Sequence, residues 1–176
     1  MVLAGCNLIT SLDPATGKKL WEIDGSTEEC VTTMASDGVR VFASGGYPRS
    51  HTVSVVADGS GRIAWQNNAR LYVPSPIVKG GHVFGVLDAG MAVCWKSDTG
   101  EELWKERLGG DFFASPVMAG ERIYASNVRG KTFVFEATPR KLPNHRAKSA
   151  RRRGLRHPGN LRQPHLSASR QTGREA

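Results

Sequence analysis

What this chain lacks narrows its reading first. It has three cysteines, Cys6, Cys30 and Cys94, and none forms a Cys-x-x-Cys pair. An odd, scattered set excludes a disulfide framework and the ligand spacing of a structural zinc site. Cys94 lies in an apolar run and reads as a small buried hydrophobe. No stretch approaches the roughly 20 apolar residues of a membrane span. No segment before residue 140 shows a sustained helical period flanked by capping residues. There is no Ser/His/Asp pattern, no phosphate loop and no pair of carboxylates at a telling spacing. His51 and His82 stand near strand starts without a partner carboxylate, and read as surface or satisfied histidines. No catalytic and no metal-ligating residue is assigned.

No leader is expected from the two residues ahead of the first candidate cleavage site. Leu3-Ala4-Gly5-Cys6 has the form of a lipoprotein cleavage site, yet only two residues precede it. With no basic and no apolar region ahead of it, it cannot direct export as written, and localisation stays unread.

What the chain does have is repetition. A glycine precedes a tryptophan by four residues three times, at Gly17–Trp21, Gly61–Trp65 and Gly100–Trp104. The tryptophans are 44 and 39 residues apart. The words around them repeat as well: Asp13, Thr16 and Gly17 recur as Asp98, Thr99 and Gly100, and more weakly as Asp58 and Gly61 with Ser60 for the threonine. A second marker keeps the same beat, since Pro74-Ser75-Pro76 returns 40 residues later as Ala114-Ser115-Pro116. A period near 40 means one supersecondary unit used repeatedly.

Within one period the grain is β. Residues 73–107 divide into four short runs, 73–79, 82–87, 91–97 and 101–107. The breaks between them carry Gly and Asp, which tolerate the positive φ of tight hairpins. Four antiparallel strands per 40 residues is the signature of a propeller blade, whose strands are lettered a to d from the axis outward. The chain is expected to be all-β: a partial β-propeller of about three four-stranded blades. The units are a half blade at 1–25, blades at 26–69 and 70–108, and an incomplete blade at 109–139. Closed propellers hold about 4–8 blades, so the expectation is a fragment of a larger repeat protein. Unpaired strand edges at its ends invite self-association. Residues 5–7 fall at a b–c turn in this register.

Each repeated tryptophan buries ~150–250 Å². At ~25 cal/mol per Å² that is on the order of 4–6 kcal/mol, an upper bound. Trp21, Trp65 and Trp104 are therefore expected to pack between blades, with the Asp-x-x-Thr-Gly turn leading strand c into strand d. Asp-x-x-Thr-Gly-x-x-x-Trp followed by a Ser-Pro-x-Val strand resembles the repeat of pyrroloquinoline-quinone-type β-propellers. These include quinoprotein dehydrogenases, the outer-membrane barrel-assembly lipoprotein and many exported repeat proteins. The resemblance covers residues 1–138 and implies a periplasmic or otherwise exported parent. The dehydrogenases' adjacent cysteine pair over the cofactor has no match here.

From Arg140 onward the text changes. Residues 140–176 hold eleven Lys/Arg and one acid, Glu175, whereas residues 1–139 hold 13 Lys/Arg and 15 acids. The net charge of +8 is owed to this segment. Rich in Arg, Pro, His, Ser and Gln, it is expected to be a disordered basic tail. Two readings compete: a nucleic-acid or anionic-surface arm centred on Arg151, Arg152, Arg153 and Arg156, or a frameshift product that replaces the fourth strand. No aromatic is interleaved with the arginines, which argues against single-strand binding by stacking.

In an up-and-down blade the d–a connections and b–c turns emerge on one face. That face gathers Glu28, Glu29, Tyr47, Arg49, Arg70, Tyr72, Asp88, Asp111, Asn127 and Arg129 as groups able to point into a central funnel. The longest b–c turn, 45–50, is the candidate for specific recognition, because loops carry function. The expected function is a non-catalytic binding or scaffolding module with a protein or small-molecule ligand and no cofactor. The alternatives are a piece of a dehydrogenase using pyrroloquinoline quinone and calcium, or nucleic-acid binding through the tail. Deleting residues 140–176 tests the last: salt-sensitive DNA retention on a column is expected to vanish with the tail if the arm is real.

Overall fold

The computed structural model describes residues 1–140 and the backbone of 146–149. Among the described residues there is no helix, and all regular structure is antiparallel sheet. Sheet 1 contains β1 (Val2–Gly5), β2 (Leu8–Leu12) and β3 (Lys19–Asp24). Sheet 2 contains β4 (Ala35–Ser36), β5 (Arg40–Gly45), β6 (His51–Val56) and β7 (Ile63–Asn67). Sheet 3 contains β8 (Ile77–Lys79), β9 (His82–Leu87), β10 (Met91–Lys96) and β11 (Glu102–Arg107). Sheet 4 contains β12 (Val117–Ala119), β13 (Arg122–Ser126), β14 (Lys131–Glu136) and β15 (Arg146–Ser149). In every sheet the strands pair in chain order, so each is a simple meander. The architecture expected from the repeat is the one observed.

Consecutive sheets stack face to face and share three apolar cores. Ile9 of sheet 1 packs with Ala43, Val53 and Val55 of sheet 2. Phe42 and Trp65 of sheet 2 pack with Val83, Val93 and Trp95 of sheet 3. Phe84, Cys94 and Trp104 of sheet 3 pack with Ile123, Phe133 and Phe135 of sheet 4. Cys94 is fully buried there, and burial pushes its thiol pKa up to about 12, so it stays protonated and inert at neutral pH.

The repeated tryptophan reaches across each junction. Trp65 lies over Gly100 in the c–d turn of the next sheet, so close that a Cβ there would stand 2.6 Å from the indole. Its Nε1–H donates to the Ser97 carbonyl at 2.9 Å. Trp104 repeats the bond onto the Thr138 carbonyl, also at 2.9 Å. Trp21 in turn approaches Gly61. Each of the three stands opposite a small residue on strand c, pairing with Ser11, Ser54 and Cys94 in turn, and a register shift follows each pair. The bulge and the small partner make room for the ring. Within the turns, the Asp13 carboxylate accepts the Ala15 N–H and the Asp58 carboxylate accepts the Ser60 N–H. Ser60 keeps the threonine's bond despite the substitution: its hydroxyl accepts from Arg62 N–H at 3.1 Å, as Thr99 accepts from Glu101 at 3.3 Å.

The inner strands carry a second link. Thr33 N–H donates to the Ser75 hydroxyl at 2.8 Å, and Ser75 N–H donates to the Ser115 hydroxyl at 3.0 Å. The Ser-Pro marker is thus a sheet-to-sheet stitch near the axis. This shortens the a strands, expected at 30–36, 73–79 and 113–118, to Ala35–Ser36, Ile77–Lys79 and Val117–Ala119. Proline has no N–H for the ladder, and the neighbouring serine amide bonds sideways to the next sheet instead.

One expectation is corrected. The last unit was read as stopping at three strands, with the tail leaving the fold at 140. Sheet 4 instead has a fourth strand, Arg146–Ser149, paired antiparallel with Lys131–Val134. Backbone pairing needs only a free edge of N–H and C=O groups, so no tryptophan is required to add it. The remainder of the expected disordered tail, and any nucleic-acid contact through it, lies outside the described residues.

Two alanine substitutions separate turn strain from docking. Gly17 and Gly100 both have positive φ, 71° and 73°, but Gly17 has nothing within 4 Å of a built Cβ. Gly17→Ala is expected to cost about 1–2 kcal/mol from the left-handed backbone alone. Gly100→Ala also displaces Trp65, adding on the order of 1–3 kcal/mol of overpacking. Urea unfolding of both variants measures the difference; equal losses would remove the dock from the account.

Candidate functional site

The end of the arc that gathers the b–c turns and the incoming connections is tied together by backbone bonds. Asn7 N–H donates to the Thr27 carbonyl at 2.9 Å, Glu29 N–H to Tyr47 at 3.3 Å, Phe112 N–H to Asp88 at 3.0 Å and Val128 N–H to Asp111 at 2.9 Å. Every b–c turn is therefore fastened to the connection that enters its own or the following sheet. Cys6 and Asn7, with φ of 48° and 71°, make the two-residue hairpin turn foreseen at 5–7.

At the junction of sheets 2 and 3, five of the ten expected rim residues come together. The Tyr72 hydroxyl donates a hydrogen bond to the Glu29 carboxylate across 43 residues of chain. The Arg70 guanidinium sits 5.4 Å from the Tyr72 ring centroid and bonds the Asp88 carboxylate at 3.1 Å. Asp88 also accepts the backbone N–H of Tyr72 at 3.1 Å. Tyr72 rests on Gly46 of the long turn, where an added Cβ would come within 2.3 Å of it. Tyr47 supplies the carbonyl to Glu29 and leaves its own side chain 53% exposed. The result is a solvent-facing array of one cation, two carboxylates and one phenol, with the exposed Tyr47 side chain beside it. The bond to Glu29 raises the Tyr72 pKa above the ordinary tyrosine value, because the neutral phenol is the donor.

The other five expected residues do different things. Asn127 is buried, and its side-chain oxygen accepts Arg129 N–H and Lys131 N–H at 3.1 and 3.0 Å. It shapes a turn. Asp111 contributes its carbonyl to Val128, and Glu28 and Arg129 are exposed. Arg49 points elsewhere: it lines a polar cleft of about 480 Å³ between sheets 1 and 2 with Asp24, His51, Gln66, Asn67 and Asn68. Sequence reasoning missed this cleft, whose walls come from three separate segments. His51 bridges to Gln66 through Nε2 at 3.3 Å, and its Nδ1 is buried without a partner.

Among the described residues, no three Asp, Glu, His or Cys side chains converge to hold an ion. Asp88, the acid best placed on the rim, is committed to Arg70 and to backbone amides. The described residues do not fit a calcium-bound quinone.

Antiparallel meanders of three or four strands, docked in series by a repeated tryptophan, define the chain as a β-propeller arc of the quinone-type repeat class. It belongs to the family described as outer membrane protein assembly factor BamB, which matches residues 5–86 and, overlapping, 49–142. Among solved structures, the chain is similar to BamB from Moraxella catarrhalis at 14% identity and a TM-score of 0.59, covering 80% of this chain and 46% of that one. It is similar to the quinohemoprotein alcohol dehydrogenase ADHIIG from Pseudomonas putida HK5 at 14% identity and 0.60, covering 83% and 32%. Sqt1 from Saccharomyces cerevisiae aligns at 12% identity and 0.63, covering 82% and 43%. The chain spans less than half the length of each. No curated protein sequence matches it.

The rim array carries its own test. Following tyrosinate absorbance against pH, Tyr72 is expected to ionise above the ordinary tyrosine range, and Glu29→Gln is expected to bring that ionisation back down. An unchanged titration in the variant would separate the two side chains.

Proposed function

We propose that this chain is part of a non-catalytic β-propeller that holds a protein partner on the face formed by its b–c turns and connections. One observation carries the reading. Exposed large side chains, Val31 at 57%, Tyr47 at 53% and Phe113 at 61%, stand on that face beside the anchored Glu29–Tyr72–Arg70–Asp88 array. Apolar and aromatic groups flanked by fixed charges, on turns held by backbone bonds, are what the centre of a protein interface uses. Val31, Val73 and Phe113 each precede the stitched Thr33, Ser75 and Ser115 by two residues, so the repeat itself sets them around the rim. The family description, an assembly factor for outer membrane proteins, supports a protein rather than a small molecule as the ligand, and an exported parent.

Photo-crosslinking amino acids at Tyr47, Phe113 and Thr16 test the proposal in cells producing the parent protein. The first two positions are expected to trap one discrete protein, while Thr16, exposed in a c–d turn at the far end of sheet 1, traps none. Incubation with pyrroloquinoline quinone and calcium, then gel filtration, reads the enzymatic alternative. Quinone absorbance retained on the protein would replace scaffolding with a dehydrogenase role.

A further inference from the structure

We propose that the polar cleft between sheets 1 and 2 binds an uncharged carbohydrate, at a site separate from the rim array. Its volume is about 480 Å³, within the roughly 300–1,000 Å³ that small-molecule sites occupy. Local chain geometry sets each wall. Strand β3 ends at Asp24, after which Gly25 N–H and Ser26 N–H both turn to donate to the Asn7 carbonyl at 3.2 Å. Strand β7 ends at Asn67, whose side-chain oxygen accepts Ala69 N–H at 2.9 Å, and Asn68 is left exposed in that turn. Arg49 comes from the end of the long b–c turn, and His51 opens β6. Among the described residues, no aliphatic side chain and no Phe, Tyr or Trp lines the cleft.

The groups in the cleft already have roles. Gln66 Oε1 lies 3.3 Å from His51 Nε2. An amide oxygen only accepts, so Nε2 carries the proton and the Gln66 NH₂ is left free. Asn67 likewise commits its oxygen to Ala69 and keeps its NH₂. Among the described residues, the Asp24 carboxylate, the Arg49 guanidinium and the Asn68 amide make no side-chain hydrogen bond or ion pair. Donors therefore come from Arg49, Gln66 and Asn67, an acceptor from Asp24, and both kinds from Asn68. An apolar ligand would strip water from these groups and return no hydrogen bond, which is unfavourable. An anion meets the like charge of Asp24 and a cation that of Arg49, so either is repelled at one wall. A hydroxyl both donates and accepts. A sugar carries several on a compact uncharged frame, and that is the chemistry this lining matches. A peptide segment would bring apolar side chains for which the cleft has no apolar wall.

Saturation-transfer NMR on the full chain tests this with maltose, cellobiose, lactose and diacetylchitobiose as uncharged sugars. Glucuronate serves as an anionic sugar, and a capped Gly-Ser-Gly peptide as the competing class. At least one uncharged disaccharide is expected to receive saturation, and glucuronate and the peptide none. Asp24→Ala and Arg49→Ala are each expected to weaken that binding by about tenfold or more, the scale of losing a hydrogen bond to a charged group. Both side chains are exposed, so neither substitution disturbs the core. Arg62→Ala, exposed in the c–d turn of sheet 2, is expected to leave binding unchanged. In the unaltered chain the His51 ring signals are expected to move as sugar is added, which puts the ligand in this cleft. Silence from all the uncharged sugars, binding that survives both substitutions, unmoved His51 signals, or a preference for glucuronate or the peptide would each overturn the proposal. Crosslinking at Tyr47 and Phe113 reads the rim independently, so either reading can fail alone.

Discussion

Everything in this arc depends on an indole laid across the turn of the next sheet. Trp65 covers Gly100 and bonds the carbonyl of Ser97. That contact sets three things at once. It requires a residue without a side chain at the turn, holds the turn at positive φ, and fixes the angle at which one sheet meets the next. A meander of four short strands cannot bury both of its faces alone. Stacking in series solves this, which is the usual logic of repeat architectures.

The inner edge is held by a different force. Hydroxyls of Ser75 and Ser115 take backbone N–H groups from the preceding sheet, near prolines that have none to give. Apolar docking toward the outer strands and polar stitching at the axis together make a wedge of defined orientation. The face of the b–c turns inherits that rigidity. Its turns are fastened by main-chain bonds, so Tyr72, Glu29, Arg70 and Asp88 hold their array without a ligand present. A preordered array of this kind suits recognition, because little side-chain entropy remains to be lost on binding.

Membership in a family that is described by an assembly factor, together with a fold shared by an alcohol dehydrogenase, illustrates how little architecture says about chemistry. The distinction lies in side chains that converge. Here the rim acid Asp88 is paired with an arginine and with backbone amides, and the exposed rim groups include Glu28 and Arg129 as well as Tyr47.

The repeat was legible because a tryptophan, a glycine and an aspartate at constant spacing are local words. Period-two apolar runs and Gly-bearing breaks located most strands to within a residue or two. The inner strands came out shorter, since the competing Ser-Pro stitch is a contact between residues 40 apart. The fourth strand of sheet 4 was not legible because Arg146–Ser149 carries none of the repeated words. Of the rim residues, the side on which they would emerge followed from counting turns. Which of them would touch did not, because Glu29 meets Tyr72, and Arg70 meets Asp88, only after sheets 2 and 3 are stacked. Arg49 was drawn away from its neighbours on the rim into a cleft walled by Asp24 and Gln66. The amino-acid order by itself determined the unit, its period and its turns, since those rest on propensity and near-neighbour bonding. Tertiary structure alone decided the charge pairs and the cleft, because each is made where separate sheets meet.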